Sequence, residues 1–148
     1  MKAHVPRFVA AVAVIVVALT ASADANAPAG RYTTANGTVY DTKTKLTWQE
    51  AVPTGTYTWA NAKAYCAGLS LNGTGWRLPT IKELQTIVDD SQANPSIDTT
   101  AFPSTPANWF WSSSPLVGWS SFAWYVSFNY GSPNVYDVSS TYLVRCVR

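Results

Sequence analysis

The chain has 148 residues, only 12% of them charged, and a formal net charge of +2. It contains no run of Lys or Arg, so neither a nucleic-acid surface nor a polybasic membrane patch is expected. Its one His and one Met are His4 and Met1. Nothing further along can supply an imidazole for a Ser–His or Cys–His triad or for a His-ligated zinc.

The first segment is an export signal. Lys2 and Arg7 give a positive start, residues 8–19 are all apolar, and small residues follow through Ala21, Ala23, Ala25 and Ala27. Twelve apolar residues rise about 18 Å as a helix, short of the roughly 30 Å a membrane span needs. Cleavage after Ala23 or Ala25 fits the small-residue rule. The expected division is a signal peptide over 1–25, a short lead over 26–37 and one domain over 38–148. That domain is secreted or periplasmic, with no membrane insertion after cleavage. Beyond residue 25, eight basic and seven acidic residues nearly cancel.

Residues 38–41 and 46–49 are β-rich runs around the polar turn 42–45, which predicts a hairpin. Residues 58–69 turn helical, with Thr58 as N-cap and Trp59, Ala62, Cys66 and Leu69 on one face. Thr80 with Glu83 forms a capping box for a second helix, whose stripe is Ile81, Leu84, Ile87 and Val88, ending near Asp89 and Asp90. Residues 91–108, broken by Pro95, Pro103 and Pro106, read as a long irregular loop. Strands are then expected over 109–113, 122–128, 135–139 and 142–147. Helices early and strands late give an α+β fold.

Cys66 and Cys146 are the only cysteines. In an exported protein an even pair reads as one disulfide; two free thiols for redox or copper chemistry are the alternative. Closing a loop of about 80 residues stabilises by about 4.5 kcal/mol in the chain-entropy picture. The bridge would tie the first helix to the last strand, bring the hairpin beside that strand and hold the chain ends together.

The block Trp76-Arg77-Leu78-Pro79-Thr80, running into Ile81-Lys82-Glu83-Leu84, resembles the Legionella collagen-like protein C-terminal domain family. So do Leu46-Thr47-Trp48, Tyr65-Cys66, Phe110-Trp111-Ser112-Ser113, Ala123-Trp124-Tyr125-Val126 and Val144-Arg145-Cys146-Val147-Arg148. The resemblance runs from about residue 39 to the end. It implies a C-type-lectin-like fold, with two helices packed on a twisted antiparallel sheet and a long irregular loop region. It also implies a bacterial surface or secreted module, with sulfated-glycan binding through basic residues, whereas this sequence has no basic cluster. The WRLPT block is also similar to that of formylglycine-generating enzymes, which need a catalytic cysteine pair beyond structural bridges. Two cysteines do not supply that, and no enzyme is expected.

Seven Trp and eight Tyr are the surplus of this composition. Trp48, Trp76, Trp111 and Trp124 are expected in the core, and Arg77 is expected to pair with a carboxylate or loop carbonyls. Trp119 lies between two strands. With Asn129, Tyr130, Tyr136 and Asp137 it offers rings and polar groups for a sugar, or for an oligomer interface. Asp89, Asp90 and Asp98, near Asn94, form an oxygen-rich loop of the kind that takes calcium, although the spacing is no EF-hand. No other cofactor is implied. Asn36-Gly37-Thr38 and Asn72-Gly73-Thr74 are glycosylation sequons, relevant only in a eukaryotic secretory pathway. The expected function is a binding or adhesion module for a glycan or surface protein. The alternative is a structural subunit of a surface assembly, forming a homo-oligomer.

Overall fold

Asn36 and Gly37 both take left-handed backbone angles (φ 51° and 78°), the twist a two-residue hairpin turn requires. The turn joins β1 (Tyr32–Ala35) to β2 (Thr38–Asp41), with Ala35 opposite Thr38 and Tyr32 opposite Asp41. Residues 42–45 return the chain into β3 (Thr47–Gln49), completing a sheet in the order β1-β2-β3. The buried Asp41 carboxylate organises that return by accepting the Lys43 N–H at 2.9 Å. The expected hairpin is present, and the segment read as a lead supplies a further strand. The computed structural model describes residues 28–148, so the signal-peptide expectation lies outside the described residues.

Two caps act as their residue types predict. The Thr58 hydroxyl accepts the Asn61 N–H and opens α1 (Trp59–Gly68). Thr80 and Glu83 form both halves of the capping box that opens α2 (Ile81–Thr86). α2 stops before Ile87 and Val88, which the sequence pattern places on its stripe. Ile87 is still buried, because the core reaches past the helix end.

The rest of the regular structure is a second sheet: β4 (Trp109–Leu116), β5 (Trp119–Ser127) and β6 (Ser132–Asp137), in the order β4-β5-β6. The expected single twisted sheet is thus corrected to two antiparallel three-stranded sheets with two short helices. The expected strand over 142–147 is also corrected. Leu143 exchanges backbone hydrogen bonds with Trp109 and Trp111, Cys146 accepts from Gln49, and Val147 pairs with Arg77. Arg148 exchanges bonds with Thr47 at 2.8 and 2.9 Å. Because the segment changes partner every few residues, it makes bridges but no ladder. It is the seam between the two sheets, and it sets the hairpin beside the chain end as expected.

Alternate residues of β4 and β5 fall into two buried clusters, as the two-residue strand period requires. Phe110 and Val126 join Val39, Trp48, Leu84, Ile87, Ile97, Phe102 and Phe128. Trp111, Ala123 and Tyr125 join Ala62, Cys66, Trp76, Leu78, Tyr142 and Val144. The two helices therefore cover opposite faces of the second sheet. Trp48, Trp76 and Trp111 are buried as expected, and Trp124 is half-buried.

Cys66 and Cys146 form a disulfide across 80 residues, with Cα atoms 5.4 Å apart. It fastens the inner face of α1 to the seam. Among the described residues, no helix is long and apolar enough to cross a membrane.

A candidate aromatic binding face

The residues singled out for ligand contact do not converge. Trp119 opens β5 and is 65% exposed, while Tyr130, 72% exposed, lies in the turn beyond the other end of that strand. The strand has nine residues, and its eight steps set the two ends about 26 Å apart. Trp119 sits edge-on to Phe122 at 6.2 Å, and Phe122 lies opposite Asp137, so Trp119 and Asp137 share one end. The Asp137 carboxylate accepts the Ser139 hydroxyl and backbone N–H at 2.6 and 2.8 Å, which holds it below the usual carboxylate range. Tyr136 stands on the edge strand β6, opposite Ala123.

Asn129 and Tyr130 belong instead with the acidic loop. The Asn129 carbonyl accepts the Asn94 N–H at 2.9 Å. A Cβ on Gly131 would meet Val88 Cγ1 at 2.4 Å, so this turn packs directly on the end of the acidic segment. Asp89, Asp90 and Asp98 line a cleft of about 160 Å³ with Arg31 and Tyr32. Among the described residues, however, no three His, Cys, Asp or Glu side chains are placed to hold a metal ion. Asp89 and Asp98 each turn one oxygen, Oδ1, to a local turn, and among the described residues the buried Asp89 Oδ2 has no hydrogen-bond partner. Asp89 accepts the Ser91 N–H at 3.0 Å, and Asp98 accepts those of Thr100 and Ala101 at 2.8 and 3.2 Å.

What the fold does assemble is a group of five rings on the α1 side of the second sheet. Trp109 and Trp111 alternate along β4, Tyr125 lies opposite Trp111, and Tyr136 comes from β6. Tyr142, from the seam, is the hub. Its ring centroid lies 5.1 Å from Trp109, 4.5 Å from Trp111, 5.2 Å from Tyr125 and 5.8 Å from Tyr136. Trp109 also packs on Tyr125 at 5.5 Å and Tyr136 at 6.5 Å. The floor is fixed, because the Trp111 indole N–H donates to the Tyr57 carbonyl at 2.9 Å and Tyr57 and Tyr142 exchange backbone bonds.

Burial grades across this group. Trp111, Tyr125 and Tyr142 are buried, while Trp109 and Tyr136 are 39% and 48% exposed. Among the described residues, the Tyr142 hydroxyl has no hydrogen-bond partner. Burial pushes it up to about 12, and the neighbouring phenols of Tyr125 and Tyr136 add to the rise. Tyr125 is raised too, first by burial and then by Tyr136. Ser127, Ser132 and Asn134 share the face by register, and none of these positions carries a charge. Tyr136 was among the residues named from sequence, and Trp109 was missed. The available signal was the alternation of Trp109 and Trp111, but cross-strand register is needed to see what they meet.

The arginines are engaged elsewhere. Arg31 pairs with Asp41 at 2.8 Å, and Arg148 donates to the Asn72 carbonyl at 2.9 Å. Arg77 grips both Glu83 oxygens at 2.7 and 2.6 Å, as expected for an internal pair. Those bonds, helped by the Thr80 N–H and hydroxyl, pull the Glu83 carboxyl down to about 2. Arg145 is wholly buried. It donates to the Thr105 hydroxyl at 2.8 Å and lies over the Phe102 ring, pinning the long loop to the core. Burial brings it down to about 9.

Residues 37–148 match the Lcl C-terminal domain, and the chain belongs to that family. No curated protein sequence gives a significant match to the chain.

Proposed function

We propose that this protein is an exported, non-catalytic binding module that recognises a glycan on a surface through exposed aromatic side chains. The observation that carries the reading is the graded five-ring face. Three rings form a rigid floor, and above them Trp109 and Tyr136 are open to solvent. Sugar rings stack their C–H faces on such platforms, and nearby hydroxyl groups give direction. Family membership supports a surface-associated role. The likeness to C-type lectins belongs to the same proposal, supported by the bridge from α1 to the chain end and by the long irregular stretch before β4. No imidazole follows His4, which favours holding over hydrolysis. A glycan array followed by calorimetry tests the reading: binding to at least one glycan is expected, and silence across neutral and sulfated sets rejects it.

A second reading, a self-associating structural subunit, is favoured by the β4–β5 turn. There Val117 is 92% and Trp119 65% exposed, which makes the turn an apolar tip. Light scattering separates the two, since a strict monomer at high concentration removes self-assembly.

A further inference from the structure

We infer that the aromatic face takes an uncharged pyranose, with Trp109 as the stacking surface and the hydroxyls of Tyr136 and Tyr142 as its polar contacts. This rests on the glycan reading above and narrows it to a class of sugar and a place.

Sulfate and carboxylate groups are recognised by guanidinium or ammonium donors, preferably in pairs. No position on this face is charged, and the four arginines of the described residues are engaged away from it, with Asp41, Glu83, Thr105 and Asn72. The four lysines of the described residues stand on the 42–45 turn, α1 and α2, so a sulfated sugar placed on Trp109 would lose water from its anion and gain no cation from the second sheet.

Tyr142 supplies an independent observation. It is 7% exposed, and its hydroxyl has no partner among the described residues. A buried hydroxyl left unpaired destabilises the protein that carries it. Of the four rings packed about Tyr142, only Trp109 and Tyr136 reach solvent, and Tyr136 stands on β6, an edge strand. Tyr136 is the solvent-exposed phenol among the neighbours of Tyr142, and on this proposal a sugar that stacks on Trp109 and displaces Tyr136 supplies the hydroxyl that completes the Tyr142 hydrogen bond. An uncharged ligand rich in hydroxyls matches what the face lacks.

The test uses calorimetry on the disulfide-bonded protein with neutral gluco-, galacto- and manno-configured oligosaccharides and with sulfated glycosaminoglycans. A neutral sugar should bind, Trp109→Ala should abolish that binding, and Tyr40→Ala, on the first sheet, should match the parent. Tyr142→Phe should weaken binding about tenfold, the value of one hydrogen bond. Its Tm should equal or exceed the parent's, a pairing of effects that a merely structural tyrosine would not give. If Trp109→Ala does not fold, Tyr142→Phe still decides. Binding confined to sulfated glycans, or binding lost in Trp119→Ala and kept in Trp109→Ala, overturns this inference and leaves the glycan reading standing. No binding to any glycan rejects both.

Discussion

Glu83 does three jobs with one carboxylate: it grips Arg77, accepts the Thr80 N–H and accepts the Thr80 hydroxyl. The capping role was legible from Thr80 and Glu83 three residues apart, because a capping box is a local motif. The ion pair was anticipated for Arg77 without its partner, because sequence does not say which acid faces it. The folded carboxyl sits near 2 against an ordinary 4.5, so its contribution is complete above about pH 4.5 and fades as pH falls towards 2. The Arg77 side chain is 47% exposed, so solvent screening trims the value. Glu83→Gln should therefore cost about 1 kcal/mol at pH 7, and the deficit should shrink towards pH 2 in urea melts. A deficit independent of pH would assign the effect to packing.

Among the elements, β1 and the seam are where sequence and fold part. Asn36-Gly37 is a strong two-residue hairpin signal, yet reading it as a sequon hid the strand before it. The segment 142–147 has the composition of a strand, but its hydrogen bonds go to β4, to Arg77 and to β3 in turn. No local pattern encodes that. The β5–β6 turn offers a sharper check. Gly131 has φ 75°, and a Cβ there would reach 2.4 Å from Val88 Cγ1. Gly131→Ala should destabilise by about 2 kcal/mol through strain and overlap, read by thermal unfolding. A neutral result would mean that the turn does not seat on the acidic segment.

At the scale of the molecule, two clusters share the second sheet and one disulfide joins α1 to the seam. Cys66→Ser should lower stability by about 2–5 kcal/mol, and non-reducing mass spectrometry of exported protein should find both thiols oxidised. The pairing and the nearness of the first hairpin to the C-terminal end were readable from two cysteines and an N-terminal segment read as an export signal. The binding face was not, because Trp109, Tyr125, Tyr136 and Tyr142 come from three strands and the seam, and only their register makes them neighbours. Trp119 attracted attention as a loop tryptophan and is exposed as expected. It stands at the far end of β5 from Tyr130, so exposure alone did not identify a shared surface.

The indole N–H groups give seven separate reporters in a ¹H–¹⁵N spectrum, one for each Trp. On titration with a neutral oligosaccharide, the Trp109 indole should shift first and furthest while that of Trp119 stays in place. Saturating shifts centred on Trp119, with Trp109 unmoved, would contradict the placement of the binding face on the five rings around Tyr142.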